Sequence, residues 1–167
     1  KEYRTPTALD LSAAAAAEQY LSDNWTDYAS RGLVPDEKRF VGPADRSANY
    51  GIEFWWQPFT PRQLLSHLEC AKAIREIGDE ARAKMDHDRW QALMTYLTVI
   101  FDKMVDYNSR MTRWENTHKV VKGTFDRHDF SFKWSFAEFD SARNAMPWVI
   151  AQVCETYADI AKLGAPY

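Results

Sequence analysis

The segment DYNSRMTRW, residues 106–114, carries side chains whose types and spacing could do chemistry. It follows an apolar helical pattern and places an acid, an amide, hydroxyls and two arginines around a tyrosine and a tryptophan. Continued as a helix, it would put Asp106, Arg110 and Arg113 on one face, with Asp106 and Arg110 at a spacing that favours a surface ion pair. The segment is therefore the first candidate for a binding site.

Two interpretations of this segment stay open from the residues alone. In the first it is a polar helix end, where Asn108 continues the buried face and its amide needs partners that organise the neighbouring loops. In the second the arginines bind phosphate, and Tyr107 or Trp114 offers a surface on which a base stacks. A similar choice arises at Glu138, because the apolar segment WSFAEF predicts a packed region in which a buried acid has a specific partner.

Motifs for a complete active site do not occur in the sequence. The four histidines form no paired-histidine helix motif, no Cys-x-x-Cys is present, and the acids of DHD at 86–88 suit a helix N-terminus. The sequence also has no Gly-x-Ser-x-Gly, P-loop or Gly-x-Gly-x-x-Gly motif. We therefore expect no catalytic, metal-binding or cofactor-binding residues in this chain.

The composition is that of a soluble globular protein, and 167 residues are enough to bury a core. No apolar run approaches the roughly 18 residues of a membrane span, and no signal segment opens the chain. Cys70 and Cys154 lie far apart in the sequence and favour a reducing compartment. These features predict a cytoplasmic protein without a membrane partner. The net charge is −3, yet bases outnumber acids seven to four between Lys103 and Lys133.

Periodicity and capping signals predict a mainly α fold with about four helices. The first helix follows Thr7, which can cap it, and ends near Gly32. The second begins in FTPRQLL, where Thr60 is the cap and Pro61 takes the first helical position. Gly78 is expected to weaken or end this second helix, because glycine is a poor helix former.

The remaining elements are a third helix that begins near 86–88 and a fourth over roughly 147–163. Irregular, aromatic-rich segments lie near 32–58 and 115–140, and the alternation in KVVKGTF and FSFKWSF predicts a few short strands. We expect residues 1–167 to form a single helical domain.

Four segments resemble, in order, the region that precedes the Asp-Pro-Pro-Tyr catalytic motif in large bacterial adenine-specific DNA methyltransferases: FTPRQLL (59–65), DYNSRMTRW (106–114), GTF (123–125) and KWSFAEF (133–139). That family has an N-terminal domain of unknown function and often a zinc ribbon. The early segments PTALDLSAAAAAEQ and VPDE are also similar to what leads into that region. The resemblance covers most of the chain, although the family's Gly-rich cofactor loop and Asp-Pro-Pro-Tyr loop have no match here.

The resemblance implies an accessory helical region, inactive alone and excised from a larger protein, whose methylation would serve restriction-modification, phage defence or regulation. The parent protein would transfer a methyl group from S-adenosylmethionine to an adenine flipped out of the duplex, and this chain would hold no cofactor itself. Its expected partners are the remaining domains of the parent methyltransferase and DNA. Asn108 and Glu138 would be structural. The candidates for DNA contact are Arg62, Arg110, Arg113, Lys119, Lys122 and Arg127, with Tyr107 and Trp114 nearby.

The alternative hypothesis is a structural protein-interaction module without nucleic-acid contact, whose aromatic segments dock on the rest of its own protein. A free-standing enzyme is a third class, which binding of a cofactor to this chain alone would support. Salt-dependent binding to DNA distinguishes the first two hypotheses, because phosphate contacts release counterions.

Overall fold

The computed structural model describes residues 4–39, 42, 47–126, 132–133 and 135–163. It is mainly helical, and its helices pack on one another in chain order: α1 Ala8–Ser30, α2 Pro61–Arg82, α3 His87–Tyr107 and α4 Met146–Leu163. A small antiparallel hairpin pairs β1 Arg113–Glu115 with β2 Val120–Lys122. Short helical turns cover Ser47–Tyr50, Thr124–Asp126 and Ser141–Ala145. The predicted mainly α fold with about four helices and a few short strands is confirmed.

The helix starts follow from local capping. Thr7 caps α1 in a capping box with Asp10, and Thr60 caps α2 in a second box, in which its N–H donates to Gln63 Oε1 at 3.0 Å. Asp86 caps α3 by accepting the backbone N–H of residue 89 at 3.0 Å. Each cap satisfies N–H groups that the helix itself cannot, which stabilises a helix by about 1 kcal/mol.

Gly78 does not end α2, one of the two outcomes expected for it. The helix continues to Arg82, and Gly78 is buried within it. A Cβ at this position would lie 2.6 Å from the sulfur of Met94 in α3, and Trp90 of α3 donates its indole N–H to the Gly78 carbonyl at 2.8 Å. The missing side chain lets α2 and α3 approach closely, and this packing outweighs the low helix propensity of glycine.

Two clusters of buried side chains form the core. The first joins α1 to α2 through Leu21, Tyr28, Leu33, Val34, Leu64 and Leu68. The second joins α3 to the start of α4 through Ile100, Met104, Ala145 and Val149. Among the described residues, no helix combines the length and hydropathy that crossing a membrane requires.

The chain leaves the helical conformation earlier than a continued α3 would require. α3 ends at Tyr107, and Arg113 lies in β1, so the helical face shared by Asp106, Arg110 and Arg113 does not form. Strand β2 falls in KVVKGTF, as the alternation predicts. The described residues of FSFKWSF, 132–133 and 135–136, are not in a strand, and the rest of that motif lies outside the described residues.

Candidate functional site

Asn108 ends α3 and fastens it to a distant part of the chain. Its backbone, at φ −135° and ψ 69°, leaves the helix, and its side chain is buried. The amide Oδ1 accepts the backbone N–H of Phe139 at 2.9 Å, while Nδ2 donates to Ser141 Oγ at 2.9 Å and to the Phe139 carbonyl at 3.3 Å. The partners that a buried amide needs are therefore supplied by the segment just before α4.

Three hydroxyls beside Asn108 extend this network. Thr112 Oγ1 lies 2.6 Å from the Ala137 carbonyl and 2.9 Å from the carbonyl of Ser109. Thr124 Oγ1 donates to the Asp106 carbonyl at 2.7 Å, so the 2.7 Å contact between the Ser109 and Thr124 hydroxyls has Ser109 as its donor. Both Ser109 and Thr112 are completely buried. We call this network the polar hub: Asn108, Ser109, Thr112 and Thr124.

The carboxylate of Asp106 fixes the start of the Thr124–Asp126 turn. Its Oδ1 accepts the backbone N–H of Phe125 at 2.9 Å. Gly123 lies directly against this carboxylate, and a Cβ on Gly123 would collide with it. The GTF segment thus needs a glycine because of a side chain that precedes it by 17 positions, a requirement that local turn chemistry does not show.

His67 of α2 reaches the hub from the opposite side. The ring is 4% exposed, and its Nε2 lies 2.9 Å from the Asn108 carbonyl. Because a carbonyl only accepts, Nε2 carries the proton. Burial lowers the pKa of His67, partly offset by this hydrogen bond, so the neutral ring is favoured. Phe59 and Phe101 contact the imidazole edge-on, with ring centroids 4.9 and 6.2 Å away.

Two of the candidate arginines are ion-paired. Arg62 lies 3.0 Å from the carboxylate of Glu138, so that acid has a specific partner as expected. The expectation that Glu138 is buried is wrong, because the residue lies at the surface. Arg113 lies 2.6 Å from the carboxylate of Asp126. Both pairs are partly exposed, so each contributes at most about 1 kcal/mol to stability. They also neutralise the charge that a phosphate contact would need.

Arg110 has a different environment. Its guanidinium carbon lies 3.9 Å from the ring centroid of Phe132, a cation–π geometry. The backbone around it is fixed on both sides, because its N–H donates to the Pro58 carbonyl at 3.0 Å and its carbonyl accepts from Lys133 at 3.2 Å. Arg110 is half-buried, which places it between the hub and the surface.

Three more candidates lie on the hairpin: Lys119, Trp114 and Lys122, of which the first two are exposed and Lys122 is half-buried. Lys119 is exposed, lies in the turn and has φ 56°. Lys122 is the cross-strand partner of Arg113, so both side chains leave the same hairpin face. Trp114 is 44% exposed. Glu115 holds the turn by accepting the backbone N–H groups of residues 117 and 118, and its hydrogen bond to the His118 ring contributes most to lowering the pKa of Glu115 to about 2.

The remaining candidates are Tyr107 and Arg127. The ring of Tyr107 packs in an aromatic cluster, edge-on to Trp148 at 5.3 Å and tilted to Phe139 at 6.1 Å. It is therefore part of the packing between α3 and α4 more than a free stacking surface. Arg127 lies outside the described residues.

The hub has the chemistry of a fastening site. The hydroxyl groups and the side-chain amide of the hub form hydrogen bonds with backbone carbonyls, with backbone N–H groups and with one another. Within the part of the chain that the structure describes, no group of three or more His, Cys, Asp or Glu side chains is placed to hold a metal ion. The sequence did not single out His67 or the hydroxyls of Ser109 and Thr124, because their partners lie on other elements. It singled out Asp106 as a partner of Arg110, whereas its carboxylate accepts the N–H of Phe125.

No protein-family model, curated protein or solved structure matches this chain. The resemblance carried by the four segments therefore stays a prediction.

Proposed function

We propose that the chain is an accessory helical region of an S-adenosylmethionine-dependent, adenine-specific DNA methyltransferase. It is inactive alone, supports the catalytic domain and helps to position DNA, in the bacterial cytoplasm. The observation that supports this proposal is spatial: the four segments that carry the resemblance lie far apart in the sequence, yet contacts join all of them around the polar hub.

Direct contacts make these connections. The first segment joins the fourth through the ion pair between Arg62 and Glu138. The second joins the third through the hydrogen bond from Thr124 to the Asp106 carbonyl. The second also joins the fourth, because the amide of Asn108 bonds to the backbone at residue 139 on both its donor and its acceptor side. The four segments thus form one structural unit, which is compatible with a shared role.

The contacts also rank the candidates for DNA binding. Arg62 and Arg113 face acids, whereas among the described residues no acid lies within ion-pair distance of Lys119 or Lys122. The proposal therefore assigns phosphate contact first to Lys119 and Lys122, with the exposed ring of Trp114 nearby. Such contacts position a protein on DNA but do not read its sequence.

The direct experiment measures duplex DNA binding by the 167-residue chain between about 50 and 200 mM salt. Replacing Lys119 and Lys122 by glutamate is expected to weaken binding on the order of tenfold and to lower the salt slope by about 1.8, the value for two phosphate contacts. The control replaces two exposed lysines away from the hairpin by glutamate: Lys84, just after α2, and Lys162, in the last turn of α4, which are 71% and 76% exposed and pair with Glu80 and Asp159. No binding at low salt, or equal losses in both variants, would refute the DNA contact.

A substitution at Asp126 tests the DNA contact in the opposite direction, because it should strengthen binding. Asp126→Asn removes the acid that neutralises Arg113, so DNA binding should become stronger and more dependent on salt. Arg113→Ala in the same background should cancel that gain. A gain that survives the removal of Arg113 would show that general repulsion by Asp126, and not the arginine, sets the affinity.

The alternative, a protein-interaction module without nucleic-acid contact, also has an observation in its favour. Helix α4 exposes apolar side chains: Ile150, Tyr157 and Ile160 are 42%, 54% and 55% exposed. Such residues would suit contact with another part of the parent protein. Salt-dependent DNA binding decides between the two hypotheses. The reading frame of the parent gene tests the family itself, because our proposal requires an Asp-Pro-Pro-Tyr motif downstream of this chain and the absence of that motif would end it.

A further inference from the structure

The two faces of the hairpin carry different chemistry. Side chains alternate between the faces of a strand, so the face opposite Arg113 and Lys122 carries Trp114 and its cross-strand partner Val121. These two residues line an open groove of about 720 Å³, a volume within the range of about 300–1,000 Å³ that is usual for small-molecule sites. An apolar face of the hairpin therefore borders a space that is large enough for an organic ring.

The rest of the apolar lining of the groove is held in place by the polar hub. It consists of Ala137 and Phe139. The Ala137 carbonyl accepts the hydroxyl of Thr112 at 2.6 Å, and the backbone N–H of Phe139 donates to Asn108 at 2.9 Å. Because Thr112 directly precedes β1, the same hub residue also fixes the start of the hairpin. The groove is thus built by the fold, with both parts of its lining anchored to the hub.

Trp114 supplies a free aromatic surface in this groove. Its side chain is 44% exposed, and among the described residues no other ring and no cation stacks on the indole. Phe139 differs in this respect, because its ring packs against the rings of Tyr107 and Trp148. An indole that is open to a groove is a surface on which a flat ring stacks. We therefore expect a ligand with a planar ring at Trp114.

Lys119 and Asn116 supply polar groups to the groove. Both line it, and neither side chain forms a hydrogen bond or an ion pair with a described residue. An ammonium group binds phosphate, and an amide donates and accepts hydrogen bonds at the edge of a base. Glu138 is the acid in the lining, and its carboxylate is paired with Arg62 at 3.0 Å. Because an acid repels phosphate, we expect the phosphate of a ligand at Lys119.

We propose that this groove binds an unpaired base of single-stranded DNA, which stacks on the indole of Trp114 while a neighbouring phosphate lies at Lys119. The inference rests on the proposed function, since it takes DNA as the partner of the hairpin, and it adds the form of DNA that the hairpin prefers. In a duplex each base is covered on both faces by its neighbours, so an unpaired base is needed to cover the indole. Stacking of this kind tolerates any base, and the groove therefore selects single strands without reading their sequence.

The test compares two single strands of about 12 nucleotides that differ only in their bases. One is a thymidine strand, and the other has the same number of phosphates but carries no bases, so a difference in affinity reports on the bases alone. Binding to the 167-residue chain is measured by fluorescence anisotropy at about 50 mM salt. We expect the thymidine strand to bind at least about 5-fold more tightly, the effect of stacking one base. Equal affinities would refute the base site.

Substitutions at Trp114 locate the base. Trp114→Ala should bind the two strands with equal affinity, whereas Trp114→Phe should keep part of the preference because a phenyl ring still stacks on a base. The matched control is Trp55→Ala, which removes another exposed indole, 49% exposed and in the wall of a different cavity, and should keep the full preference. A preference that survives in Trp114→Ala would place the base elsewhere and overturn the proposal.

A substitution at Lys119 locates the phosphate. Lys119→Glu should weaken the binding of both strands and lower the salt slope by about 0.7, the value for one phosphate contact on a single strand. The ratio of the two affinities should stay unchanged, because the indole remains in place. An unchanged salt slope would refute the phosphate contact at Lys119.

Failure of this inference can be told apart from failure of the proposed function. Duplex binding that depends on the hairpin lysines, together with equal affinities for the two strands, would refute the base site and leave the proposed function intact. No binding of any DNA would refute both. Annealing the thymidine strand to its complement should abolish the effect of Trp114→Ala, and an equal effect on the duplex would contradict the preference for an unpaired base. Tighter binding of an RNA strand of matching sequence would overturn the assignment to DNA. The comparison of the two strands requires no substitution, so it decides even where a variant fails to fold.

Discussion

Replacing Asn108 tests whether the polar hub holds the fold together. In Asn108→Ala the backbone N–H of Phe139 loses its acceptor at 2.9 Å, and Ser141 Oγ and the Phe139 carbonyl lose their donor. The site is closed to solvent around Asn108, which is 1% exposed, so water cannot simply replace the amide. The substitution therefore removes a connection between α3 and the segment before α4.

The decrease in the free energy of unfolding expected for Asn108→Ala follows from these contacts. An orphaned buried donor costs about 1–3 kcal/mol, and each further lost hydrogen bond about 1 kcal/mol. Ser141 loses only a hydrogen bond that its Oγ accepts, and its hydroxyl can still donate, which limits the part of the loss due to Ser141. We therefore expect Asn108→Ala to lower the free energy of unfolding by about 2–4 kcal/mol, a large part of the roughly 5–15 kcal/mol typical of a domain.

Asn108→Asp adds a pH dependence whose sign follows from the same geometry. The introduced carboxyl can still accept from Phe139 N–H, but when ionised it faces the Phe139 carbonyl, to which Asn108 donates. Burial and this carbonyl favour the protonated form and raise its folded pKa above the ordinary value of about 3.9. Stability is then highest at low pH and falls as pH rises from the unfolded pKa to the folded pKa. The total fall is about 1.4 kcal/mol for each pH unit that separates these two pKa values.

Urea denaturation at pH 5 and pH 8 measures both effects relative to the unmodified chain. Asn108→Asp should be closer to the unmodified chain at pH 5 than at pH 8. Asn116, which is exposed in the hairpin turn, gives matched controls: Asn116→Ala and Asn116→Asp should change stability by less than about 0.5 kcal/mol. The reasoning about the hub is wrong if Asn108→Ala is as mild as its control, or if Asn108→Asp shows no difference between the two pH values.

Three further predictions concern neighbouring features. Gly123→Ala should destabilise the chain by about 1–2 kcal/mol in urea denaturation, because the new methyl displaces the Asp106 carboxylate. Most of that loss should disappear when Asp106 is already alanine, and an undiminished loss would exclude this collision. Thr112→Val should cost about 1–3 kcal/mol in the same assay, since it removes a completely buried hydroxyl, whereas Thr112→Ser should cost less; equal losses would assign the effect to packing. Burial raises the pKa of the Cys70 thiol to about 11, so at pH 8 only roughly one molecule in a thousand is thiolate there. Ellman's reagent should therefore label the exposed Cys154 first, and fast labelling in Cys154→Ser would contradict the burial of Cys70.

The parts of the fold that the sequence predicted are those fixed by near neighbours. Capping needs only residues three positions apart, such as Thr60 and Gln63, so the starts of the helices were readable. The role of Gly78 was not, because its cause is the sulfur of Met94 on another helix. Propensity describes an isolated helix, and here the close packing of two helices decided the outcome.

In the candidate site, too, the features that depend on distant residues could not be predicted from the sequence. The sequence indicated that the amide of Asn108 would need partners if buried, but it could not name residues 139 and 141, which the fold brings in from 31 and 33 positions away. From the sequence, Arg113 was a candidate for phosphate contact. In the structure its guanidinium lies 2.6 Å from the carboxylate of Asp126, which pairs with it. A count of charges along the sequence contains no information on which of them meet in the fold.

These ion pairs and the hub change the interpretation of residues 103–133, where bases outnumber acids seven to four. Arg113, one of the seven bases, is paired with Asp126, one of the four acids, whereas Lys119 and Lys122 lie on the hairpin without a paired acid among the described residues. Thr112, which directly precedes β1, bonds to the carbonyl of Ala137 and so fixes where the hairpin leaves the body of the chain. The hub would therefore affect DNA binding by placing Lys119 and Lys122, without contributing charge. Loss of the hub should lower DNA affinity at an unchanged salt slope, whereas loss of the lysines should lower both, so the two roles can be separated by the slope alone.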